Sequence, residues 1–260
     1  YISHNAEFLL SVNNAKNSKS LFDKLVYLQD SLKTKLYEKK WLHHFDLITT
    51  ISEYDKDYYG KLFKNKKISV LRPVFEIVNL NPNANKDINQ VIIVGSFLWG
   101  PKIENLLSFL NSKNFKSLHA NNISLTIVGN ADPLLVKTIN SEFKGVFMTG
   151  RVESVDPYYE KAKIAIIPEI LGGGFKLKIA EAAIHKTAIF SVKGAITKCN
   201  LRKETHFIEA FNFDDLINKI IDFQFREQEL NLMIEETYTI AKRDFSIYKF
   251  NYDILQIITV

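Results

Sequence analysis

Residues 163–181, KIAIIPEILGGGFKLKIAE, constrain this chain more than any other stretch. Ile164, Ala165, Ile166 and Ile167 form the short apolar run expected of a strand covered on both faces. Pro168 ends the run, three glycines follow, and a helical pattern then begins. A strand feeding a glycine-rich turn and a helix N-terminus builds an anion site. Glycines let the backbone approach closely, and free N–H groups with the helix dipole favour phosphate oxygens. Lys176 and Lys178 place cations in the first turn, the helix end that disfavours them unless an anion is bound there. They lie two residues apart and so point to different sides of the helix, which leaves one of them to meet the anion directly. Glu181 follows one turn after Lys178, and a carboxylate can accept from two hydroxyls at once. Gly172, Gly173, Gly174, Lys176, Lys178 and Glu181 are therefore expected around one crevice at the carboxyl end of a strand, where open parallel sheets bind ligands. The plainer reading makes the two lysines surface charge and Glu181 a solvated helix residue paired with Lys178.

The rest of the chain repeats strand and helix. QVIIVG, ISLTIVG, GVFMTG, KIAIIPE and TAIFSV are strand candidates, with helices near 101–111, 132–143, 156–161 and 175–185. Alternation of this kind implies a parallel sheet with helices on both faces. Upstream, FDLITTI and ISVL read as strands, and Ser52 as the N-cap of EYDKDYYGKLFK. Asp156-Pro157 reads as N-cap then first helical residue. Residues 79–90, NLNPNANKDINQ, form the best linker. FDDLINKIIDFQF and an amphipathic stretch over 226–258 close the chain.

With 260 residues, 46% of them hydrophobic, one large or two small domains can be packed. The net charge is +5, yet no zinc spacing, aromatic RNA-binding motif or Arg-loaded helix accompanies it, so no nucleic-acid partner is expected. An ordinary solvated basic surface is the plainer reading of the spread lysines; the alternative is attraction to an anionic membrane surface, for which the lysine-rich segments at 33–40 (KTKLYEKK) and 61–67 (KLFKNKK) would be the contacts. Cys199 is the single cysteine, which excludes an intrachain disulfide and a multi-cysteine zinc site. No apolar run reaches the roughly 18 residues of a membrane span. Cytoplasmic residence is the expectation, with a peripheral place on the inner membrane face as the further option. The glycine loop lacks the Gly-x-x-x-x-Gly-Lys-Ser/Thr order of P-loop ATPases, and no Gly-x-Gly-x-x-Gly follows the first strand as in NAD enzymes.

GGGFKLKIAEAAIHKTAIF resembles the donor-binding signature of GT-B glycosyltransferases, in the retaining family four (glycosyl transferases group 1) and its Gly-x-Gly-x-Lys-x-Lys subgroup. VIIVGSFLWGPKIENLLSFL, ISLTIVGN and VFMTGRVESVDPYYEKAKIAIIP resemble successive blocks of the donor domain. FDLITTISEYDKDYY and YISHNAE resemble parts of the acceptor domain. The resemblance implies an α/β GT-B fold: a Rossmann-like parallel donor domain plus the C-terminal part of a second, Rossmann-like acceptor domain. Its boundaries would be 1–75 (acceptor side), 76–240 (donor side) and 241–260, a helix packing back on the first unit. The chain opens in mid-strand pattern without Met, so the first half of the acceptor domain, on the order of 100 residues, is expected upstream.

By the same resemblance Glu181 matches the second Glu of the family's Glu, seven residues, Glu motif and would hold the ribose. The first position is Gly173, a departure that fits the subgroup and leaves the donor sugar's contact unassigned. Gly172, Gly173, Gly174, Phe175, Lys176 and Lys178 would hold the diphosphate. Ser96 stands where the wider family has an Arg, and Lys102 lies near a family Lys. Gly95 and Ser96 would offer backbone donors. Arg151 and Val152 follow Gly150 in the block whose backbone meets the nucleobase. His4 matches the residue facing the transferred sugar and is the catalytic candidate; a structural histidine is the alternative. Trp99 would stack on a base or serve the core. The implied activity moves a hexosyl unit from a UDP- or GDP-sugar to a hydroxyl of a glycan or lipid-linked acceptor in surface polysaccharide synthesis. No metal or other cofactor is expected, because positive side chains and helix dipoles replace one at the leaving diphosphate. The alternative is a non-catalytic nucleotide-binding module. A GT-B epimerase is a third reading, which the missing first Glu disfavours.

Overall fold

The computed structural model describes residues 1–18, 20–75, 86–170, 176–196 and 200–259. Two parallel sheets organise it. The smaller has the order β1–β2–β3, formed by β1 (Ile2–Ser3), β2 (Leu47–Thr50) and β3 (Lys67–Val70). Its helices are α1 (Glu7–Asn17), α2 (Leu21–Leu42) and α3 (Glu53–Leu62). The larger sheet contains β4 (Asp87–Val94), β5 (Ser124–Val128), β6 (Val146–Met148), β7 (Ala162–Ile167), β8 (Ala188–Val192) and β9 (Ile208–Ala210). Its spatial order is β6-β5-β4-β7-β8-β9, all parallel. Numbered within the sheet this is 3-2-1-4-5-6, the doubly wound order, with the direction of winding reversing between β4 and β7.

The helices of the second unit are α4 (Gly100–Leu110), α5 (Lys116–Ala120), α6 (Pro133–Glu142), α7 (Asp156–Tyr159), α8 (Leu177–Ile184), α9 (Phe213–Phe223), α10 (Glu227–Asp244) and α11 (Ile247–Ile258). Helices cover both faces, so β7 and β8 are buried almost throughout, with only Lys163 of β7 partly exposed, while β4 is buried over Val91–Ile93. One apolar core joins Ile92, Ile93, Ile127, Ile164, Ile166, Phe190, Leu216 and Ile220. A second, smaller core in the first unit centres on Ile48, Tyr59, Leu42 and Ala6.

Local chemistry explains the helix starts. Ser52 caps α3 by accepting from Asp55 N–H at 3.1 Å. Asp132 caps α6 ahead of Pro133, Asn212 caps α9 and Ser246 caps α11. The start of α1 has no cap of its own. Instead Asp55 accepts from Ala6 N–H and Glu38 from Glu7 N–H, each at 3.1 Å. Glu38 is buried and also accepts from the Tyr58 and Tyr59 hydroxyls at 2.9 and 3.0 Å. Burial pushes the Glu38 carboxyl above its ordinary value, against the pull of those donors.

Three sequence expectations are corrected, and one strand is added. The linker reading of 79–90 overran the boundary: Asp87–Gln90 begin β4, because polar residues are tolerated at the outer end of a strand that pairs irregularly with β7 there; residues 79–85 lie outside the described residues. Asp156 is the first residue of α7, not its cap; Ser154 Oγ accepts from Asp156 N–H at 3.1 Å, which leaves the Asp156 carboxylate for another partner. The stretch 226–258 is two helices, broken at Phe245 where Ser246 caps the second. A sixth strand, β9, closes the edge of the large sheet. The two units touch where Phe75 N–H donates to Phe245 O at 3.0 Å, with their rings edge to face. Lys67 of β3 donates to Ile257 O of α11 at 2.6 Å. No helix among the described residues is long and apolar enough to cross a membrane.

Candidate functional site

The winding reverses between β4 and β7, the point where sheets of this order take ligands at the strands' carboxyl ends, and charged side chains converge there. Glu169, two residues beyond β7, pairs with Lys178 from the first turn of α8. Lys178 also reaches β4: a Cβ on Gly95 would sit 3.2 Å from its Nζ, so a side chain at 95 would displace the ammonium. Lys102 on α4 and Lys176 at the α8 N-cap complete the cluster. Burial lowers both amines, Lys178 lowers each further, and Glu169 opposes the shift. Three lysines and one glutamate are thus gathered in one partly buried cluster, with excess positive charge suited to a polyanion.

The two α8 lysines do different things. Lys178 faces Glu169, whereas Lys176 Nζ donates to Ala195 O at 2.6 Å, beyond the end of β8. Lys178 is not paired with Glu181. The Glu181 carboxylate is half-buried and accepts from the Tyr159 hydroxyl at 3.2 Å, while burial holds its carboxyl above the ordinary range. Tyr159 stacks on His185 with ring centres 4.5 Å apart. His185 is fixed by Glu181 O at 2.8 Å and Asp156 Oδ1 at 2.9 Å. The His185 hydrogen bond, with that of Ser154, keeps the Asp156 carboxyl below its usual value. Sequence reading missed this Asp156–His185–Tyr159 brace, whose members are spread over three elements.

The glycines at the strand ends have separate tasks. Gly95 N–H already donates to Val128 O at 3.0 Å, so it is not a free donor as the sequence suggested; Ser96 N–H has no hydrogen bond among the described residues. Gly129, after β5, has φ +137°, and a Cβ there would lie 1.8 Å from Gly95 O. Only glycine permits that approach. Gly150, after β6, has φ +71°, and its carbonyl accepts from Gly129 N–H at 3.2 Å. Arg151 is exposed and Val152 half-buried just past it, on the same end of the sheet. Trp99 occupies the N-cap position of α4 without a side-chain capping bond and is exposed. His4 is exposed in the bend after β1, at the carboxyl end of the small sheet, and no hydrogen bond among the described residues joins it to the lysine cluster. Gly172, Gly173, Gly174, Phe175 and Cys199 lie outside the described residues. No group of three His, Cys, Asp or Glu side chains close enough to hold a metal occurs among the described residues.

A doubly wound donor-type sheet beside a second parallel sheet is the GT-B arrangement, and solved glycosyltransferases share it. A point mutant of S. aureus TarM, in complex with Fondaparinux, alpha-GlcNAc-glycerol and UDP, superposes with a TM-score of 0.69 at 15% identity, over 88% of this chain and 47% of that one. Sucrose-phosphate synthase from Thermosynechococcus elongatus gives 0.71 at 17% identity, over 99% and 66%. Anabaena Alr3699/HepE in complex with UDP and glucose gives 0.62 at 13% identity, over 87% and 67%. The chain thus spans about half the length of the TarM structure it matches. No curated protein sequence matches it. The family model for glycosyl transferases group 1 matches residues 88–223, more than half of the chain, and the chain belongs to that family.

Proposed function

We propose that the chain carries the donor site of a nucleotide-sugar-dependent glycosyltransferase that moves a hexosyl unit from a UDP- or GDP-sugar to a hydroxyl of a glycan or lipid-linked acceptor. The observation that carries this reading is the Lys102–Lys176–Lys178–Glu169 cluster at the winding reversal of the large sheet. Lys178 is the diphosphate contact: it is held at the crevice against Gly95, while Lys176 is tied to Ala195. Their positive charge stabilises the diphosphate as it leaves, without a metal. Glu181 meets the ribose hydroxyls, and the Tyr159 hydroxyl keeps its carboxylate in one orientation. Arg151 and Val152 flank the nucleobase and His4 orients a hydroxyl of the transferred sugar. Retention of anomeric configuration and a role in surface polysaccharide synthesis belong to the same reading.

An anionic membrane face is the proposed surface for the first unit. The α2 helix exposes Leu32, Leu36, Tyr37 and Trp41 beside Lys33, Lys35, Lys39 and Lys40. Apolar side chains interleaved with lysines suit an interfacial helix.

A thermal-shift panel tests the nucleotide reading, since specific ligands raise the melting temperature by mass action. UDP, GDP or their hexose conjugates should raise it in the presence of EDTA, and uridine and guanosine should not. No shift with any diphosphate, or a shift that requires magnesium or manganese, contradicts the reading. Binding without sugar transfer to any glycan or lipid-linked acceptor identifies a nucleotide-binding module instead.

A further inference from the structure

Glu169 is out of place in an anion site. Its side chain is 8% exposed and its Oε1 meets Lys178, but its Oε2 is buried with no hydrogen-bond partner. A buried acceptor without a donor keeps the full cost of leaving water. Nor is the residue needed to keep the lysines compatible with a polyanion, since removing one negative charge would strengthen phosphate binding. Its backbone is held firmly, because Ile170 N–H donates to Asn105 Oδ1 at 3.1 Å and Asn105 is buried on α4. The carboxylate is therefore fixed beside the lysine that would take the diphosphate, with one oxygen unmatched.

The chemistry of the missing partner follows. A phosphate offers acceptors only at neutral pH and cannot satisfy a carboxylate oxygen. The partner has to present an O–H or N–H, and it has to lie next to the diphosphate. On a nucleotide sugar, the group adjoining the diphosphate and rich in hydroxyls is the hexose. We propose that Glu169 is a donor-side residue that recognises the transferred sugar, its free oxygen accepting a hydroxyl hydrogen of the hexose while Lys178 turns to the diphosphate. The inference rests on the nucleotide-sugar reading above. It supplies a sugar contact in a chain whose sequence left that contact unassigned. It also gives Glu169 a selective role: the negative charge weakens binding of the bare diphosphate and is offset only when the sugar is attached.

The test is the ratio of affinities for a sugar nucleotide and its diphosphate, measured by calorimetry on the whole chain. UDP-glucose against UDP and GDP-mannose against GDP serve as probes, with wild type and Glu169→Gln. The variant should bind the bare diphosphate as well as wild type or better, and its sugar-to-diphosphate ratio should fall about 10-fold, the equivalent of one charged hydrogen bond. A purely structural Glu169 would shift both ligands alike. An unchanged ratio in the folded variant overturns the inference and leaves the orphan oxygen to water. If Glu169→Gln does not fold, Glu169→Asp keeps the charge and withdraws the carboxylate; the same fall in ratio supports the inference and an unchanged one overturns it. Should wild type bind neither diphosphate, the underlying nucleotide reading fails and this inference with it.

Discussion

At the residue scale, two positions are exposed to direct test. Glu181 has one oxygen on the Tyr159 hydroxyl, and the proposed ribose contact uses the remaining acceptor capacity. Glu181→Gln keeps the size, loses the charge and one acceptor, and should bind a ribonucleoside diphosphate about 10-fold more weakly. It should also discriminate less between the ribo and 2′-deoxyribo forms; an unchanged ribo/deoxy ratio by calorimetry would remove Glu181 from the site. Gly129 carries a different burden. Any Cβ there meets Gly95 O at 1.8 Å, on backbone that no other residue adopts comfortably. Gly129→Ala should therefore cost about 2 kcal/mol or more in urea unfolding. Diphosphate affinity should drop as well, because Gly95 shifts against Lys178. Wild-type stability in that variant would show that β4 and β5 can part without cost.

At the element scale, legibility followed burial. Strands β4 to β8 are runs such as VIIV, SLTIV and AKIAII, whose apolar residues leave little alternative in a sheet covered on both faces. The edge strand β9 has three residues, IEA, too few to show a period. The sequence reading passed over the 22-residue α2 although Leu21, Leu25, Leu28, Leu32 and Leu36 recur at helical spacing; in the fold those side chains are exposed rather than turned to the core. In the site, Lys178 and Glu181 stood out as charges on a helix start, but their partners did not. Glu169 and Tyr159 reach them only once β7, α7 and α8 are packed together. Elements also set the energetics. Glu38 joins α2 to α1 and α3 through two tyrosine hydroxyls and a helix N-terminus. Glu38→Ala should cost about 2–3 kcal/mol by stranding those donors. Glu38→Gln should be milder, since it removes a charge that burial disfavours; equal losses on denaturant titration would refute the network. Lys86 ties the start of β4 to Tyr159 O, Ala162 O and the Thr187 hydroxyl. Burial lowers its amine from 10.5 to about 8, with Lys163 adding to the shift. Between those values the unfolded chain holds more protons than the native one. Wild-type stability relative to Lys86→Met should therefore rise with pH across that window, by at most about 1.4 kcal/mol per unit, and be level below it. A difference that falls with rising pH would contradict the assignment.

At the scale of the whole molecule, a doubly wound sheet gathers positive charge at the point where its winding reverses, and a second parallel unit lies beside it. The α2 face adds a membrane prediction. Vesicles rich in phosphatidylserine should sediment the protein at low salt and release it as salt rises, because the attraction is screened. Equal binding to neutral vesicles would contradict a role for the lysines. The central claim is that the crevice takes a diphosphate on Lys178, and titration calorimetry with UDP and GDP in EDTA measures it most directly. Wild type should bind one of them. Lys178→Ala should lose about 1.5–3 kcal/mol of that affinity, and Lys176→Ala, whose amine is held by Ala195 O, should lose little. Full affinity in a folded Lys178→Ala variant would contradict the account.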